Sequence, residues 1–133
     1  MEEKKNEIIL FENQGVKLEV NLKDETVWLN LEQMTELFKR DKSVISRHIN
    51  NVFKEKELDK SSTVAKFATV QNESGRTVKR NIEYYNLDVI ISVGYRVKSK
   101  EGTKFRKWAT KVLKDYMLKG YAVNQKRLEY LEK

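Results

Sequence analysis

Five residues between positions 42 and 50 carry side chains suited to the edges and backbone of a nucleic-acid duplex. Lys42, Ser43, Ser46, Arg47 and Asn50 fall at i, i+1, i+4, i+5 and i+8, so a helix would project them from one side. Arg47 can give guanine a bidentate pair, and Asn50 can do the same for adenine. Lys42 and the two serines offer donors to phosphate oxygens, contacts that fix register without reading sequence. From Lys42 to Lys54 there is no carboxylate, so nothing in that stretch repels a polyanion. The plainer alternative is an ordinary pair of helices with a polar outer face.

Two helices must hold these residues outward. Leu31, Met34, Leu37 and Phe38 lie at i, i+3, i+6 and i+7, one stripe of a short helix, with Asn30 as N-cap. A charged break, Lys39-Arg40-Asp41-Lys42, separates it from a second stripe, Ile45, Ile49, Val52 and Phe53, opened by Asp41 or Ser43. Those dimensions are those of a helix-turn-helix. Thr35 sits at the small-residue position of that pattern, and Ile45 follows at the aliphatic one. Lys39 stands where glycine is favoured, because the turn often needs a left-handed residue, a departure that leaves a longer or differently shaped turn open as an alternative.

The flanks read as β. Ile8 to Phe11, then Val16, Leu18, Val20 and Leu22 in strict alternation after a turn at Asn13-Gln14-Gly15, and Thr26 to Leu29, predict a small antiparallel sheet. Residues 54–63 are polar and read as loop. Val64–Val70 and Thr77–Tyr85 flank Ser74-Gly75 as a hairpin, a wing beside the helix pair, with Arg76 at its tip and Lys66, Lys79 and Arg80 along it. Asn86 can cap a buried helix over 87–97, with strand as the alternative. Phe105, Trp108, Ala109, Val112, Leu113, Tyr116 and Met117 mark an amphipathic helix, which Gly120 is expected to end. Residues 124–133 then read as the start of a further helix or a linker, with Leu128 and Leu131 on one side. Trp28, Trp108 and the tyrosines (Tyr84, Tyr85, Tyr95, Tyr116, Tyr121) sit at apolar spacings that favour burial over base stacking.

The chain has 133 residues and a net charge of +7, and residues 96–119 alone hold nine basic side chains against two acidic ones. That cluster, Lys104 and Lys107 included, fits a polyanion partner, or else a solvated helix face. No cysteine and a single histidine, His48, leave no metal-ligand set, and His48 falls on a helix–helix seam. Glu101-Gly102-Thr103-Lys104 imitates the end of a phosphate loop but lacks its first glycine. No Ser-His-acid order stands out, so the expectation is no enzyme, no cofactor and no small-molecule substrate. The N-terminus shows no apolar signal region and no stretch spans a bilayer, which suits the cytoplasm.

Several of these residues together are similar to a known family. Trp28-Leu29-Asn30 leading into Met34-Thr35-Glu36-Leu37-Phe38, then Ser43-Val44-Ile45-Ser46-Arg47-His48-Ile49, resembles the RhuM family of bacterial virulence-associated proteins. Tyr84-Tyr85-Asn86-Leu87-Asp88-Val89-Ile90, Gly94-Tyr95-Arg96-Val97 and Phe105-Arg106-Lys107-Trp108-Ala109 share that resemblance. More distantly the layout resembles the N-terminal domains of phage antirepressors of the BRO and KilA type. The resemblance implies a DNA-binding domain. RhuM-like segments also occur fused to Fic-type modules, whose His-rich motif is absent from these residues.

The expectation is therefore an α+β fold: a small N-terminal antiparallel sheet, a helix-turn-helix, a wing-like hairpin and C-terminal amphipathic helices. Residues 1–123 would form a winged helix-turn-helix-like domain, ahead of the segment 124–133. The helix at 43–53 would enter the major groove of double-stranded DNA. Arg47 and Asn50 would read bases there, anchored by Lys42, Ser43 and Ser46 and more loosely by Arg76, Lys104 and Lys107. A homodimer would suit palindromic sites. The rival readings are a regulatory protein–protein module, or the N-terminal adaptor of a larger enzyme, a Fic-type one included.

Overall fold

The computed structural model describes residues 7–132, with side chains described except at Gln71 and 119–132. Strands β1 (Glu7–Asn13), β2 (Val16–Lys23) and β3 (Thr26–Asn30) form a meander, followed by helices α1 (Leu31–Phe38) and α2 (Lys42–Lys54). A single helical turn, α3 (Lys60–Thr63), interrupts the segment expected to be loop. Asp59 holds it by accepting the Ser61 N–H at 3.2 Å. Strands β4 (Val64–Glu73) and β5 (Arg76–Asn86) then form the hairpin, and α4 (Leu87–Arg96) and α5 (Lys100–Glu132) complete the chain.

The expected N-terminal sheet and the wing prove to be one antiparallel sheet, in the order β1-β2-β3-β5-β4. β3 pairs with β5 over only three positions, Trp28 with Asn86, Leu29 with Tyr85 and Asn30 with Tyr84. Beyond Asn30 the β4–β5 hairpin runs on alone.

One face of the sheet carries the core. Leu18, Val20, Leu22, Val27 and Leu29 alternate onto it and meet Met34, Leu37, Ile45, Val89, Ile90 and Phe105 from the helices. Trp28 alternates onto the opposite face. It is nevertheless buried, because Phe67 of β4 and Tyr84 of β5 close over it and its indole N–H donates to the Lys23 carbonyl at 2.9 Å. Lys23 in turn lies over the Phe67 ring, 5.0 Å from its centroid.

α4 and α5 cross where Gly94 and Gly102 face each other above Phe38. A Cβ on either glycine would come within 3.3 Å of that ring. Phe105 and Trp108 seat α5 on Phe11 of β1, and Asn13 donates to Glu101 at 2.6 Å. The expected stop at Gly120 is overturned, for α5 continues to Glu132. A helix-interior glycine costs about 1 kcal/mol relative to alanine, a penalty that a long helix absorbs. Tyr84 is buried and Tyr85 half-buried as expected, but Tyr95 is 74% exposed and Tyr116 is also exposed. Apolar spacing alone did not separate the covered half of each stripe from the rest. The side chains of Tyr121, Leu128 and Leu131 lie outside those described.

Candidate nucleic-acid interface

The helix pair is built from its ends inward. Asn30 and Gln33 form a reciprocal capping box: the Asn30 side chain accepts from Gln33 N at 2.8 Å, and Gln33 Oε1 accepts from Asn30 N at 2.9 Å. Gln33 Nε2 also donates to the Glu19 carbonyl at 2.7 Å, tying α1 to β2. At the other end of α1, Lys39 takes up the left-handed conformation itself, at φ 55° and ψ 49°, and its N–H donates to Thr35 O at 3.0 Å. The turn therefore keeps the short helix-turn-helix form without glycine, and the alternative of a longer turn is not taken.

Arg40, one of the charges in the sequence break, closes this turn. Its guanidinium donates to the Phe38 carbonyl at 3.0 Å and to the Val97 carbonyl at 3.1 Å, joining the end of α1 to the end of α4. Nothing in the sequence marked Arg40 for this task, since the acceptors are backbone carbonyls and one lies 57 residues away. Asp41 occupies the N-cap position of α2 but makes no side-chain cap bond.

α2 packs on α1 and α4 through Ile45, Ile49 and Val52, all buried. Three buried residues at helical spacing on one side fix which side faces out. Lys42, Ser43, Arg47 and Asn50 are exposed and Ser46 is half-buried, so the five residues share one accessible flank. His48 is half-buried in the seam, with Nδ1 buried and without a hydrogen-bond partner. Burial, and then the charges of Arg47 and Arg96, hold its pKa below the ordinary histidine range.

Carboxylates stand at both ends of this flank. Glu55 and Glu57, just past α2, are both engaged by Arg96 of α4, with Glu57 at 3.2 Å. A hydrogen bond from Ser92, and then Arg96, hold Glu57 below the usual carboxylate range. At the N-terminal end, Lys42 shares a cleft with Glu32 and with Glu83 and Tyr85 of β5. Glu83 accepts from the Tyr85 hydroxyl at 3.1 Å, and burial together with that carboxylate pushes the phenol up to about 12. The cleft brings the first turn of α2 against the base of the β4–β5 hairpin.

The remaining predicted residues are spread more widely. Arg76 is exposed at the hairpin tip, and its register opposite Glu73 puts it on the face bearing the Arg80–Glu73 ion pair. Lys104 and Lys107 are exposed on α5, which packs on α4, α1 and β1 at the opposite end of the sheet from the hairpin. The structure does not bring them to the α2 flank. Among the described residues no group of three or more His, Cys, Asp or Glu side chains could hold a metal ion. No helix there is long and apolar enough to cross a membrane.

The model of the virulence protein RhuM family matches residues 62–133, more than half of the chain. The chain belongs to this family. The RhuM match takes in the hairpin, α4 and α5, so α1 and α2 lie before it and are read from their own geometry. No curated protein and no solved structure matches the chain.

Proposed function

We propose that this RhuM-family chain is a sequence-specific DNA-binding module, bacterial or phage-derived, that lays α2 in the major groove. One observation carries the reading: an exposed, carboxylate-free flank, held outward by Ile45, Ile49 and Val52, presents Arg47 and Asn50 between phosphate-type donors. Arg47 and Asn50 read base edges there, and Lys42, Ser43 and Ser46 hold the backbone. Arg76, Lys104 and Lys107 lie apart from this flank and are not part of the proposed surface. Two copies on a palindromic site would place two such helices about 34 Å apart along the duplex.

The test is duplex binding as a function of salt. If about six phosphates are contacted, affinity falls on the order of 10³-fold between 50 and 200 mM salt. A chain that recognises only protein shows no duplex binding and no such slope.

A further inference from the structure

The β4–β5 hairpin extends as a two-stranded ribbon with two unlike faces. Its outermost six residue pairs, from Ala68–Asn81 to Glu73–Arg76, lie past Phe67, the last hairpin residue in the aromatic cluster with Trp28. At about 3.4 Å per residue the free ribbon is about 20 Å long.

Alternation and register assign every side chain on it. Phe67, Ile82 and Tyr84 are on the outer side of the sheet, as the contact of Phe67 with Trp28 shows. Thr69, Arg80, Glu73 and Arg76 continue that side. Arg80 and Glu73 make two hydrogen bonds there, at 2.8 and 2.7 Å, so one cation and one carboxylate cancel and Arg76 at the tip is left as the side's remaining charge. Arg80 draws Glu73 below the usual carboxylate range.

The other face continues the side of the sheet that the helices cover, because Tyr85 packs against the core there. It carries Lys66, Thr77, Lys79 and Asn81 around Val70, which is 65% exposed. Its one carboxylate is Glu83 at the base, opposite Lys66 and already accepting from Tyr85. Lys42 of α2 opens onto the cleft at that base, so the helix and this ribbon face leave from the same end of the sheet.

We infer that the helix-side face of the ribbon, centred on Lys79 with Lys66, Thr77 and Asn81, is a second duplex-contacting surface that grips the phosphate backbone beside the segment held by α2. The inference rests on the DNA-binding reading and adds to it which face of the ribbon touches the duplex. Lys79 and Lys66 supply the charge, while Thr77 and Asn81 supply neutral donors. The outer face, where the Arg80–Glu73 pair leaves Arg76 at the tip as the remaining cation, points away from the cleft that Lys42 opens onto.

Two substitutions separate the faces. Lys79→Gln and Arg80→Gln each remove one positive charge from the same ribbon, on opposite sides. Binding to a fluorescent duplex is followed by anisotropy from 50 to 200 mM salt, with circular dichroism confirming that both variants fold. Lys79→Gln is expected to lower the slope of log K against log salt by about 1 and to weaken binding about fivefold to tenfold at 0.1 M salt. Arg80→Gln is expected to leave the slope unchanged. Wild-type binding with an unaltered Lys79→Gln slope, or equal losses in both variants, overturns the ribbon assignment and leaves α2 in place. Absence of wild-type binding to any duplex at 50 mM salt removes the α2 reading and the ribbon with it.

Discussion

Replacing Lys39 by glycine tests the turn that sets α2 against α1. A residue with a Cβ in the left-handed conformation costs about 1–2 kcal/mol, and Lys39 holds φ 55° without any hydrogen bond or ion pair from its exposed side chain among the described residues. Glycine removes that cost but orders a more flexible unfolded chain, a penalty of about 0.5–1 kcal/mol. The N–H bond to Thr35 is backbone and survives. The balance is a gain of about 0.5–1 kcal/mol for Lys39→Gly, which for a chain of this length raises Tm by about 2–5 °C. Lys39→Val should move the other way by at least about 1 kcal/mol, since a β-branched residue tolerates this region poorly. Urea unfolding of the two variants, followed by circular dichroism, measures the difference directly. A loss of stability in the glycine variant, or equal stability in the two, would refute the left-handed turn.

Other expectations follow from the same contacts. Asn30→Ala removes one half of the capping box and should cost about 1–2 kcal/mol in urea unfolding, whereas Asp41→Ala, which removes no cap bond, should cost under about 0.5 kcal/mol. Because His48 binds its proton less readily folded than unfolded, the unfolded chain holds more protons in the window just below the ordinary histidine value of 6.5. Stability should therefore fall as pH drops through that window and rise again on returning to neutrality. Thermal melts across it should show the slope in the wild type and lose it in His48→Gln.

Much of this fold is legible in the sequence, for reasons that differ by element. Strict alternation marks β2, and the Ile45, Ile49 and Val52 stripe marks both α2 and the side it buries, which is why the outward flank is readable without coordinates. Asn86 caps α4 as its residue type suggests, with Oδ1 accepting from Val89 N at 3.2 Å. What escapes the sequence is set by distant partners. Trp28 lies on an apolar strand, and only Phe67, arriving from β4, determines that it is buried on the outer side. Arg40 reads as a solvated charge, yet its acceptors are carbonyls of α1 and of the residue after α4. Basic residues on α5 look equivalent to those on α2 in composition, but the packing of Phe105 and Trp108 on Phe11 directs α5 to the far end of the sheet. Gly120 resembles a stop because glycine favours helix ends. It carries no information about a helix long enough to run through it.

The most direct measurement is base preference in a duplex selected from a random oligonucleotide pool by the wild-type chain, compared with Arg47→Ala. If the α2 flank reads the major groove, the pool yields a consensus. On that duplex Arg47→Ala then binds about 5-fold to 150-fold more weakly, a cost of about 1–3 kcal/mol, with discrimination relaxed at one base pair. No consensus, or a variant as tight and as selective as the wild type, would contradict the account.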